Sequence, residues 1–275
     1  MKPIPSRYAL ILSFLSFIPA LAAAATDQPA LVLMPPVLPL ADLPLNAEVA
    51  KALQQARDAE AMAREKASAA RDAQANAGVA AEQARAHAAS AQAGGDDVTV
   101  QQFAGLGTYQ GGIAQAARNG QGVWMGADGE RYEGDWQSDN RSGFGVAVVA
   151  SGLRFEGVWK DGKPCGAGVV TWPDGDVYEG DYCDGHYSGY GVFYFSRESN
   201  NNYVRENAGQ WANDKQTGYG VRLWVAGTRS EGEWLDGELN GYGAEFDTAG
   251  HLQTKLDVPQ QGRYDHGALK DPLAP

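Results

Sequence analysis

The chain has 275 residues, 44% of them hydrophobic, and 35 glycines, about twice the glycine of an average globular sequence. That apolar share is enough to bury a core and excludes a wholly disordered polar chain. Lys+Arg number 22 against 34 Asp+Glu, a formal charge of −12, which excludes a nucleic-acid binder because phosphate backbones reward cations.

Lys2 and Arg7 precede an apolar stretch over residues 8–21, followed by Ala22, Ala23, Ala24 and Ala25. Charge, short apolar run and small residues in that order predict a secretory signal peptide over 1–25, cleaved after Ala25. The stretch falls short of the ~20 apolar residues that span a bilayer, and Pro19 interrupts it. A soluble periplasmic or secreted mature protein is expected, with the charge moving to −14 as Lys2 and Arg7 leave. Residues 26–45 hold Pro29, Pro35, Pro36, Pro39 and Pro44, which favour an extended linker.

Residues 46–93 are alanine-rich, without proline and with Gly78 as the one glycine, so helix propensity is high. Asn46 is a fair N-cap. Val49, Ala56, Ala63, Ala70, Ala77, Ala84 and Ala91 recur at a spacing of seven, and Leu53, Glu60, Ala67, Gln74, Ala81 and Ala88 form a companion row. The spacing predicts a shallow heptad seam, as in a coiled coil through which copies self-associate. Six basic residues balance six acidic ones in this segment. Residues 94–108, opening with Gly94, Gly95, Asp96 and Asp97, read as a joint.

A repeat occupies the rest of the chain. Gly-x-Gly pairs stand at Gly120/Gly122, Gly143/Gly145, Gly166/Gly168, Gly189/Gly191, Gly218/Gly220 and Gly241/Gly243, spaced by 23, 23, 23, 29 and 23 residues. Nine residues before each pair lies another glycine: Gly111, Gly134, Gly157, Gly180, Gly209 and Gly232, with Gly262 opening a truncated seventh unit. Around these glycines run segments such as Tyr132-Glu-Gly-Asp-Trp136 and Phe155-Glu-Gly-Val-Trp159. Strand alternation puts both aromatics and the glycine on one face and the charged residues on the other. Asp161-Gly162, Asp184-Gly185 and Asp236-Gly237 supply tight turns. Each unit is therefore a β-hairpin, its bare Gly-x-Gly backbone leaving room for a neighbouring ring.

Tyr-x-Gly-x-Trp followed by Gly-x-Gly at this period resembles the MORN (membrane occupation and recognition nexus) repeat family. The resemblance covers 109–267 and implies a mainly β fold: a single-layer antiparallel meander of six to seven hairpins, here preceded by the long helix, with residues 268–275 as a tail. It further implies a non-enzymatic binding or assembly module with roles at membranes and in dimerisation. The first aromatic gives way to Asn207, Ser230 and Gln260 in the later units, and a six-residue insertion within 196–206 reads as a protruding loop.

If Asp174-Gly175 centres the turn between two units, Cys165 and Cys183 face each other across antiparallel strands, and an oxidising compartment favours a disulfide between them. His87, His186, His251 and His266 show no metal-ligand spacing. No catalytic, cofactor or metal residues are expected, and the recurrent Glu133, Glu156 and Glu179 read as a repeated solvent face. Opposite the ring row Trp136, Trp159, Tyr182, Trp211 and Trp234 lie Phe144, Tyr190, Tyr219 and Tyr242, the candidate binding face, with Val123, Val146, Val169, Val192, Val221 and Ala244 two positions further on. That face needs a cover: another copy, the helix or a foreign ligand.

From residue 96 onward there are 14 basic and 26 acidic residues, which favours basic partners. The expected function is an exported scaffold or protein-interaction module meeting envelope proteins and forming homo-oligomers. Peripheral contact with phospholipid is the alternative, opposed by the acidic charge, and glycan binding by the ring row is third, since packing on glycine accounts for those rings.

Overall fold

The computed structural model describes residues 45–94, 98–196, 204–255 and 258–273. The expected signal peptide, nearly all of the proline-rich linker and most of the expected insertion loop lie outside them. One helix, α1 (Ala47–Gln92), precedes the strands β1 (Val98–Phe103), β2 (Gly107–Ala114), β3 (Ala117–Gly126), β4 (Arg131–Gln137), β5 (Asn140–Val148), β6 (Arg154–Lys160), β7 (Lys163–Thr171) and β8 (Val177–Cys183). There follow β9 (His186–Tyr194), β10 (Val204–Ala212), β11 (Lys215–Trp224), β12 (Arg229–Leu235), β13 (Glu238–Phe246), β14 (Thr254–Lys255), β15 (Val258–Pro259), β16 (Gln261–Asp265) and β17 (Ala268–Pro272). Fifteen of these strands form one open antiparallel sheet in chain order, and β14 pairs with β15 separately. The fold is mainly β, a meander preceded by a long helix, as the repeat implies. β1 arises inside the segment that composition reads as a joint, and it pairs in unbroken register with β2.

Local chemistry explains the hairpins. Residues at both turn positions take positive φ, as at Asp161 (50°) and Gly162 (82°) or Asp184 (52°) and Gly185 (94°), the two-residue geometry that matches strand twist. The paired glycines have separate tasks. In β5 the first, Gly143, has φ +61° and lies in a bulge, where the register with β4 shifts between Gly134 and Trp136. The second, Gly145, is a platform: a Cβ there would lie 2.5 Å from the Tyr132 hydroxyl and 2.6 Å from its ring. Phe155 lies on Gly168 in the same way, a Cβ there falling 2.6 Å from its ring carbons.

Rings laid on glycine then stack edge to face along the sheet. Tyr132 meets Trp136 at 5.2 Å and Trp159 at 4.9 Å, geometry that suits aromatic quadrupoles. The indole N–H groups of the repeat tryptophans find carbonyls: Trp136 donates to Gly122 O at 3.1 Å, Trp159 to Gly145 O at 3.1 Å, Trp211 to Gly191 O at 2.9 Å and Trp234 to Gly220 O at 2.8 Å. Trp136, Trp159, Tyr182 and Trp211 belong to one continuous buried cluster, and Trp234 to a smaller one with Leu239 and Tyr264.

The opposite face is covered by α1. Asn46 caps the helix, its side-chain oxygen accepting the Glu48 N–H at 3.0 Å. The helix crosses every strand from β1 to β13, its N-terminus over the last units and its C-terminus over the first. The row expected to mediate self-association is spent here: Val49, Ala56, Ala63, Ala70, Ala77 and Ala84 are fully buried. Val49 and Leu53 pack with Ala244 and Phe246, Ala63 and Ala67 with Val192 and Ala208, Ala77 and Ala81 with Val146, and Ala84 and Ala88 with Val123. Two periods coincide. One heptad advances a helix by ~10.5 Å, and one hairpin advances a sheet by two strands, ~9.6 Å. Alanine is the right size for this contact, since it brings the helix axis close to the sheet.

Candidate interaction surface beside the helix

Cross-strand pairing arranges the helix-bearing face in rows perpendicular to the strands. The central row, under α1, alternates valine with glutamate: Val123 pairs with Glu133, Val146 with Glu156, Val169 with Glu179 and Val221 with Glu231. The recurrent glutamates are therefore not a solvent face. Glu133, Glu156 and Glu231 are buried, because the helix that satisfies the valines also covers their neighbours, and it brings cations to them.

Those cations keep the helical period. Arg57 reaches Glu231 at 2.8 Å, Arg64 reaches Glu206 at 2.5 Å, Arg71 pairs with Glu179, and Arg85 reaches Glu133 at 2.6 Å. The rhythm misses one beat at Gly78; there Glu156 accepts instead from Gln74 Nε2 at 2.8 Å. In the fifth unit Ala208 takes the glutamate position, and Glu206, two residues earlier on the same face, supplies the carboxylate. Burial pushes the Glu179 carboxyl above its ordinary range despite the Arg71 guanidinium.

To one side of the helix a second row stays half-exposed. It includes Asp135, Phe144, Asp181, Tyr190, Gln210, Tyr219, Glu233 and Tyr242, linked by the pairings Phe144 with Val158, Ala167 with Asp181, Gln210 with Tyr190 and Tyr219 with Glu233. All four residues of the candidate binding face thus stand in one line. Phe144, Tyr190 and Tyr242 each put part of their surface against the clusters that the helix closes. Lys66 reaches Asp181 at 3.4 Å, and Ala52, Ala59, Ala73 and Ala80, at heptad spacing from Lys66, are buried.

A bulge in each hairpin builds this row. In four of the hairpins the bulge withdraws one N–H from the ladder and the facing side chain accepts it: Phe144 N–H donates to Asp135 Oδ2 at 2.8 Å, Tyr190 N–H to Asp181 Oδ2 at 3.2 Å, Tyr219 N–H to Gln210 Oε1 at 2.7 Å and Tyr242 N–H to Glu233 Oε1 at 3.3 Å. Burial raises the Asp135 carboxyl, against the N–H of Phe144 and the Gln121 amide. Val158 has no acceptor for the third hairpin. Beside that hairpin Cys165 and Cys183 pair directly across β7 and β8 and form the disulfide, with Cα atoms 4.0 Å apart.

The irregular units replace rings with a polar cluster that sequence reading missed. Asn207 Oδ1 accepts from Arg222 Nε at 2.8 Å, Gly237 O accepts from Arg222 Nη2 at 2.8 Å, and the guanidinium lies 4.6 Å from the Trp234 ring centre. Burial lowers the Arg222 pKa to about 10. Arg118 covers Trp136 in the same manner at 4.4 Å. Arg118 and Arg141, each just after a turn, carried a signal, since their guanidinium groups lie over the repeat tryptophans Trp136 and Trp159. Among the described residues no cluster of His, Cys, Asp and Glu is arranged to hold a metal, and no helix is long and apolar enough to cross a membrane.

None of the curated proteins matches the chain. A family model described as MORN repeat matches residues 109–131, 132–154, 155–177, 178–198, 208–229 and 231–246.

Proposed function

The chain belongs to the MORN repeat family, whose repeats are non-catalytic modules for protein or lipid interaction, and on that premise we propose that it is an exported scaffold that binds a protein of the cell envelope. The half-exposed ring-and-carboxylate row beside α1 carries this proposal. It is long, regular and held by backbone hydrogen bonds, so it is preorganised for a partner. The acidic balance of the repeat segment, 14 basic against 26 acidic residues, draws basic partners and opposes anionic headgroups. Self-association through the alanine seam is no part of the proposal, because those side chains are already buried against the sheet.

In-cell crosslinking with mass spectrometry tests it. Crosslinks from the repeat segment to a protein partner are expected, whereas efficient flotation with anionic liposomes and no protein crosslinks would replace it with the lipid alternative. N-terminal sequencing of the mature chain tests export, with Thr26 expected as the first residue.

A further inference from the structure

Resting on the interaction-module reading, we infer that the row beside α1 is a binding track for an extended, proline-rich, positively charged segment of the partner. The width of the track argues for an extended chain. The row lies two residues, ~7 Å, to the side of the helix-bearing row, whereas a second helix packed against α1 needs an axial separation of 8–10 Å and would stand beyond the rings. A chain without helical girth can lie over the half-exposed rings, between Lys66 on the helix and the turns.

Period argues for the polyproline conformation. Ring positions recur once per hairpin, ~9.6 Å apart, and a polyproline II chain repeats every three residues, ~9.3 Å. One side chain in three therefore meets each of Tyr190, Tyr219 and Tyr242 in turn. The next residue can address the carboxylate between rings. Tyrosine rings accept the flat faces of proline and the charge of arginine.

Charge selects the sign. Asp135, Asp181 and Glu233 lie in the row. The two-residue turns on this side of the helix add Asp139, Asp161, Asp184, Asp214 and Asp236. Arg118, Lys163 and Lys215 answer Asp139, Asp184 and Asp236, His186 meets Asp214, and of the cations facing the row Lys66 pairs with Asp181 while Arg263 lies opposite Tyr242. Acid remains in excess along the track.

Fluorescence anisotropy of the full mature chain with a labelled peptide of repeated Pro-Pro-Arg provides the test. Saturable binding is expected, falling about tenfold in the Tyr190→Ala/Tyr219→Ala double variant and weakening with salt, with no binding of repeated Pro-Pro-Glu. Circular dichroism of the double variant checks its fold, and Glu233→Lys, which reverses one charge while leaving the rings, should also weaken binding. Equal binding of a Gly-Ser-Arg repeat, or unchanged affinity in folded tyrosine and Glu233 variants, would overturn the inference. The two ideas fail separately: envelope-protein crosslinks without Pro-Pro-Arg binding sink the track and leave the scaffold.

Discussion

Two glycines of one pair do different work, and substitution separates them. Gly145 has the Tyr132 ring against it, and that ring is held by Trp136 and Trp159, so Gly145→Ala cannot be absorbed by a rotamer change. A loss of about 1–3 kcal/mol is expected in urea unfolding. At Gly143 the penalty comes from φ, +61°, as well as from the Asp135 side chain, and the variant should also disturb the Phe144 N–H contact. Arg222 is a buried cation held by carbonyls. Its pKa, about 10 when folded against 12.5, means that the unfolded chain binds more protons between those values. Stability attributable to this group therefore rises with pH across that window, and Arg222→Met should flatten the slope in unfolding measured there.

At the scale of the helix, Gly78 is the weak point. Beyond its own helix backbone and chain neighbours nothing lies within 4 Å of where its Cβ would stand, so Gly78→Ala should stabilise by about 0.5–1 kcal/mol, read as a raised melting temperature. Gly78→Arg should gain further by giving Glu156, already paired with Arg154, the helix arginine that the other units have. Glu179 adds a pH dependence of the opposite sense to the usual paired carboxylate. Its folded pKa stands above 4.5, so the folded state holds the proton more tightly, and stability from this group falls as pH rises from 4.5 through the folded value. Glu179→Gln should remove that fall in a series of urea midpoints. The disulfide, closing a sequence separation of 18 residues, should contribute about 2–4 kcal/mol, lost on reduction.

Across the whole molecule the helix changes how a repeat array behaves. Stacked hairpins alone touch only their neighbours and unfold in pieces when their coupling is weak. α1 touches every strand from β1 to β13, so it couples distant units. One cooperative thermal transition is expected for the intact protein. Ala70→Glu, at a position fully buried against the sheet, should lift the helix, broaden the transition and raise the scattered mass as the valine row is exposed.

Hairpin positions, turn chemistry, the phase of the rings and the pairing of Cys165 with Cys183 were legible in the chain itself, because strand alternation and positive-φ turns act within a few residues. The four residues of the candidate row were legible as a set for the same reason, as was their placement opposite the tryptophans. What lay over them was not. A heptad of alanines suits any shallow surface of about the same period, and a recurrent glutamate looks the same whether it meets water or arginine. Only superposing the helical and hairpin repeats in space put Arg57, Arg64, Arg71 and Arg85 onto buried carboxylates, and that alignment depends on the distance between strands, which no local pattern encodes.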